Sequence, residues 1–169
     1  PLYIVEFKQG RTDLYFRQSQ GRGPGRRDEG EIAKGDLVIV EADRGKDLGT
    51  VVNDSITVDQ QQHQFWRRRH QQQRWWHRLT RNINPKRLFS KATPAETSLL
   101  HSKAQDEERA LALCTAKVNQ RGLPMIVVAA EMQWDRRKLT FYYTATQRVD
   151  FRDLVKELFR LYKVRIYLC

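Results

Sequence analysis

The chain has 169 residues, enough for one domain or two small ones, and a chain of about 150 residues buries roughly 70% of its unfolded surface, so a real core is available. The 31 basic residues against 20 acidic ones leave a net charge of +11, which makes a polyanion the first partner to consider. Two cysteines exclude a disulfide framework or a four-cysteine metal site, and the longest apolar run, Met125 to Ala130, is far short of the ~20 residues that span a bilayer. With no secretory signal in view, we expect a cytoplasmic protein with no membrane contact and no cofactor. Pro1 and a last strand cut off at Cys169 read as the ends of an excised domain.

Tyr3, Val5 and Phe7 alternate with Ile4 and Glu6, Lys8 to Arg11 offers a turn, and Thr12 to Phe16 follows, which predicts an opening hairpin. Gly21 to Gly30 holds too many glycines and arginines for a regular element and reads as a loop, either solvated or touching nucleic acid. Leu37 to Glu41 and Leu48 to Val52 are two further strands around the turn Asp43-Arg44-Gly45-Lys46-Asp47. Four short strands predict a small antiparallel sheet or partial barrel. Gly45 and Gly49 mark positions that need a positive φ or a close backbone approach. Arg44 and Lys46, projecting from the turn, either contact phosphate or pair with Asp43 and Asp47.

Gln60 to Lys91 carries nine Lys or Arg and no Asp or Glu, so it holds +9 of the +11. Within it, Trp66, Arg67, Arg68, Arg69, Arg74, Trp75 and Trp76 interleave aromatic rings with cations, the combination that neutralises phosphates while stacking bases. The alternative is a Gln-rich linker whose aromatics pack on the domain. His63, His70 and His77 would lie two helical turns apart, about 10 Å, too far to share one metal ion.

Thr93-Pro94-Ala95-Glu96 is a capping box with proline at N1, and Leu100, Ala104, Glu107, Leu111, Cys114 and Val118 continue at helical spacing towards a stop at Gly122. Cys114 therefore reads as a core residue. Met125 to Trp134 predicts a strand, Asp135-Arg136-Arg137-Lys138 a hairpin turn, and Leu139, Phe141 and Tyr143 the buried face of its partner strand. The cations Arg136, Arg137 and Lys138 are either a solvated cluster or a phosphate contact. Asp150 is placed to cap a helix whose apolar stripe is Phe151, Leu154, Val155, Leu158, Phe159 and Tyr162, and Val164 to Leu168 is a last strand. The expected class is α+β: a β-rich part over residues 1–59 with a Gly/Arg loop at 17–30, a basic insert or linker over 60–91, and an α-β-β-α-β part over 92–169.

Lys34 to Val52 (KGDLVIVEADRGKDLGTVV), Asn84-Pro85-Lys86, Lys91-Ala92-Thr93, Leu123-Pro124-Met125, Trp134 to Tyr142 (WDRRKLTFY) and Arg148 to Leu154, in this order, resemble the polymerase-suppressor C-terminal conserved domain family, in its fungal form. That family includes a yeast suppressor of DNA polymerase alpha mutations, trypanosomatid proteins that bind elements of cell-cycle-regulated mRNAs, and a bacterial subunit that directs RNA processing. The resemblance implies a non-enzymatic, RNA-associated protein and maps no catalytic residue. Bacterial relatives bind an iron–sulfur cluster with partner subunits through cysteines, several of them past the position where this sequence ends; only Cys114 and Cys169 occur here, so the cluster is not carried over.

No nucleophile elbow, P-loop or zinc-protease motif occurs in the sequence. The leading expectation is single-stranded RNA binding through the basic and aromatic residues named above. A protein partner in RNA metabolism, recruited without direct RNA contact, is the alternative; DNA binding is a weaker one.

Overall fold

The first two strands, β1 (Leu2–Glu6) and β2 (Thr12–Phe16), pair antiparallel around a short 3-10 turn at Lys8–Gly10, and Tyr3, Val5 and Tyr15 point into a core as the alternation requires. In the computed structural model the residues described are 2–17, 30–56 and 85–169. The chain divides into two units: Pro1–Asp43 with Leu48–Ala92, and Arg44–Asp47 with Thr93–Cys169.

In the first unit, β3 (Leu37–Ala42), β4 (Gly45–Ile56) and β5 (Lys86–Lys91) join the opening hairpin in a closed five-stranded barrel of order β1-β2-β5-β3-β4. The reading of 60–91 as insert or linker is corrected at its end, because residues 86–91 supply the strand that closes the barrel. Closure matters physically, since a partial barrel would leave two strands with unpaired backbone donors and acceptors. β5 runs parallel to β2 and antiparallel to β3, so the barrel is not wholly antiparallel. Val5, Val38, Val40, Val51 and Leu88 fill it. Gly49 sits where β4 crosses β1: a Cβ there would lie 2.5 Å from Val5 Cγ1 and 2.8 Å from the Glu6 carbonyl, so the glycine serves close approach rather than a positive φ.

The second unit begins with α1 (Pro94–Gln120), whose capping box forms as expected: Thr93 Oγ1 accepts from Glu96 N at 3.2 Å and Glu96 Oε2 accepts from Thr93 N at 2.7 Å. The helix ends at Gly122, φ +61°, with Leu123 N returning to Val118 O at 3.1 Å. Strands β6 (Ile126–Met132), β7 (Lys138–Thr144) and β8 (Arg165–Leu168) form a sheet of that order, antiparallel then parallel, with α2 (Arg152–Tyr162) as the crossover between the parallel pair. Ala110, Cys114, Val118, Met132, Leu139, Phe141, Leu154 and Leu158 make its core. Cys114 is fully buried there, and burial pushes its thiol up to about 11, far from a reactive thiolate at neutral pH.

Two details differ from the sequence-based expectation. Phe151, not Asp150, is the N-cap of α2, while Asp150 Oδ1 still accepts from Arg152 N at 3.2 Å and so reaches the first turn from one residue outside it. Phe159 is half exposed, because only Leu154 and Leu158 face the core squarely and Phe159 is rotated about 100° from Leu158.

Glu107, the polar residue in the α1 stripe, is buried. It accepts from Lys103 Nζ at 3.2 Å and from the backbone of Met132 at 2.7 Å, so the carboxylate satisfies a strand donor inside the core.

Candidate nucleic-acid interface

Two tight turns of the second unit carry cations, and one aspartate joins them. In the turn between β3 and β4, Arg44 is held at φ +54°, and in the turn between β6 and β7, Arg136 is held at φ +66°, both left-handed and both uncommon for a residue with a side chain. Asp135 Oδ2 accepts from Lys46 N at 2.9 Å, while its Oδ1 accepts from Gln133 Nε2 at 2.8 Å and from Arg137 N at 3.2 Å. Arg137 Nη1 donates to the Arg44 carbonyl at 3.0 Å, and Trp134 N donates to Asp47 Oδ1 at 3.1 Å. Glycine at position 45 is required by this contact, since a Cβ would sit 1.8 Å from Asp135 Oδ2.

The electrostatic consequence is a sorting of signs. Asp47 and Asp135, at 7% and 15% exposure, take backbone donors, and Asp135 also pairs with Arg137 Nε at 3.7 Å; Arg44, Lys46 and Arg137 stay on the surface. Arg136 is partly engaged by Asp106 of α1, whose carboxyl is held below its usual range by that guanidinium. Lys138 lies over the Tyr167 ring at 5.5 Å. Of the residues singled out by sequence, Arg44, Lys46 and Arg137 are linked by these contacts, whereas Arg136 turns to Asp106 and Lys138 to Tyr167 in the same unit.

The remaining predicted site residues, Trp66, Arg67, Arg68, Arg69, Arg74, Trp75 and Trp76, lie outside the described residues. Of the nine cations between Gln60 and Lys91, the three in β5 are paired with barrel carboxylates: Lys86 with Asp13 at 2.8 Å, Arg87 with Glu41 at 3.5 Å and Lys91 with Asp36 at 3.1 Å. Those pairs cancel the charge that composition credited to that strand. Salt pairing, the expectation for the loop aspartates, holds for Asp135, which lies 3.7 Å from Arg137 Nε, but Asp47 and Asp135 also accept backbone donors of a distant turn, which no local pattern announces. Sequence reading passed over Trp134, Leu99 and Lys103, which line a cleft beside Arg136. The only local signal was a tryptophan next to a three-cation turn.

Among the described residues no group of three or more His, Cys, Asp and Glu stands together as a metal site, and no helix is long and apolar enough to cross a membrane.

A barrel followed by a helix-backed mixed sheet, with two cationic turns joined by the Asp47 and Asp135 carboxylates, defines a small α+β domain. Residues 86–169, from the first residue of β5 onward, match the PSP1 C-terminal conserved region, and the chain belongs to that family. It is 41% identical over 99% of its length to an uncharacterized protein of Schizosaccharomyces pombe, and 30% identical over its whole length to the protein PSP1 of Saccharomyces cerevisiae. It is 33% identical over 78% of its length to the stage 0 sporulation protein YaaT of Bacillus subtilis. The chain spans 23%, 27% and 41% of those three proteins respectively. No solved structure matches it.

Proposed function

We propose that this domain is a non-enzymatic, cytoplasmic RNA-associated module that holds single-stranded RNA by its phosphates on the double turn of Arg44, Lys46, Arg136, Arg137 and Lys138. The observation that carries the reading is the Asp135 linkage, which ties the two turns together through the Lys46 N–H, with Arg137 Nη1 on the Arg44 carbonyl, while Arg44, Lys46, Arg136 and Arg137 are exposed. Backbone-held turns spare the loop-ordering entropy that a flexible segment loses on binding. The resemblance to RNA-associated relatives supports the same substrate class, and the basic and aromatic residues 66–76 are assigned as a second RNA-contacting segment.

The test is the salt dependence of binding to a fluorescent single-stranded oligonucleotide. Each neutralised phosphate on a single strand contributes about 0.7 to the slope of log K against log salt. Arg44→Gly suits the left-handed backbone, and Lys46→Ala keeps the N–H that Asp135 accepts. The double variant is expected to lower the slope by about 1.4, two contacts' worth. Absence of any RNA shift at low salt, or a double variant indistinguishable from the parent, would overturn the reading. Single-stranded DNA binding tighter than RNA would reassign it to DNA.

One observation favours a protein-binding reading in parallel. Ile126 and Val128 are 68% and 51% exposed on β6, an outer strand of its sheet, which suits addition of a partner strand. A protein partner in RNA metabolism retained after nuclease treatment, and lost in Val128→Lys, is the expected sign.

A further inference from the structure

A cleft of about 300 Å³ opens in the second unit between α1 and the β6–β7 turn, lined by Leu99, Lys103, Trp134, Asp135 and Arg136. That is the lower end of the ~300–1,000 Å³ range of small-ligand pockets, room for one flat ring system. Leu99 is 55% exposed, an apolar side chain that the fold leaves uncovered on a helix. Trp134 is half-buried, yet its Nε1 is buried without a partner, so the cleft meets indole carbon rather than the N–H. On the rim, Lys103 is paired with Glu107 and Arg136 with Asp106, so two ion pairs and the Asp135 carboxylate border an apolar, aromatic wall.

We infer that this cleft takes a single nucleobase of the bound RNA, with the base face on Trp134 and Leu99 and the flanking phosphates at Arg136 and Arg137. The inference rests on the RNA reading above and adds to it a stacking residue. Two features select a nucleotide over an apolar side chain of a protein. An aliphatic group gains nothing from the rim cations, and Asp135 and Arg136 belong both to the cleft and to the double turn, so a strand held by the turn passes the cleft mouth. Stacking tolerates any base because each presents a π-face, so the cleft adds affinity more than sequence selectivity.

The experiment uses the intact chain with Trp66, Trp75 and Trp76 changed to Phe, which leaves Trp134 as the one indole. Labelled oligouridylate and oligoadenylate are followed by anisotropy while Trp134 emission is read in the same titration. Quenching with the same midpoint as the anisotropy is expected. Trp134→Leu should weaken binding about 5- to 150-fold, the usual worth of one stacked base. Leu99→Glu, an exposed helix position that leaves the fold intact, should weaken it as well. If anisotropy reports binding while Trp134 emission stays still and Leu99→Glu binds like the parent, the cleft does not take a base and the RNA reading stands without it. If neither oligonucleotide binds, both fall together.

Discussion

The carboxylate of Asp135 accepts the backbone N–H of Lys46 at 2.9 Å, joining two turns that lie 89 residues apart in the chain. The same carboxylate takes Gln133 Nε2 and Arg137 N, so three donors depend on one side chain. Asp135→Ala is expected to cost about 1–3 kcal/mol of stability, read by urea unfolding, since it orphans partly buried donors. Its effect on RNA binding separates two arguments. Removing a negative charge should tighten binding if net charge governs, and should weaken it if the carboxylate's role is to hold the cations in place. We expect weaker binding; a tighter complex would favour net charge.

Gly45 and Gly49 are glycines for want of space. Gly45→Ala would drive a methyl into Asp135 Oδ2, and Gly49→Ala would push on Val5 and the Glu6 backbone. Overpacking of this kind costs about 1–3 kcal/mol, and we expect each variant to lose that much by chemical unfolding. Gly45→Ala and Asp135→Ala should combine to less than their sum, because they damage one contact. Full additivity would show that the glycine serves another purpose.

Glu107 is 3% exposed and its partner Lys103 13%. Glu107→Ala leaves an unpaired ammonium and an unpaired Met132 N–H in the core, with an expected loss of about 3–5 kcal/mol. Glu107→Gln keeps an acceptor for Met132 and should lose less. Equal losses in the two variants would place the cost in the charge alone.

Acid should loosen the contact between the helices of the second unit. Lys117 of α1, at 2.8 Å, and then Arg121 hold Glu157 of α2 at about 2, down from its ordinary 4.5. Arg152 likewise holds Asp150 at about 2, against 3.8. A depressed carboxylate stabilises the fold fully above its unfolded value and loses that contribution as pH falls through the folded one. The urea midpoint should therefore decline between pH 4.5 and 2, and Glu157→Gln should flatten part of that decline. High salt should shrink the difference, because the Glu157 side chain is 26% exposed. An unchanged decline in the variant would assign it to other carboxylates.

Patterns that depend on neighbours along the chain were legible before any coordinates. The Thr93 capping box, the stop at Gly122 and the burial of Leu139, Phe141 and Cys114 follow from local sterics, hydrogen bonding and hydrophobic period and stand in the structure as expected, whereas Thr140 is buried too and Tyr143 only partly, so β7 does not alternate strictly. The buried stripe of α2 is one residue narrower than its spacing predicts, at Phe159, because spacing gives the direction of a face and not how far the neighbouring sheet extends beneath it.

The family and the α+β class were thus determined by the order of residues, since motifs and periodicity act over a few positions. Tertiary structure alone decided three further matters. It made Lys86–Lys91 a barrel strand rather than the end of a basic linker, and it spent that strand's charge on Asp13, Glu41 and Asp36. It also made Asp135 and Asp47 acceptors for backbone donors of a distant turn and linked Arg44, Lys46 and Arg137. Pairing over such separations is set by closing a sheet and satisfying buried polar groups; Gly45 and Gly49 betray that something approaches closely, but nothing along the chain says what.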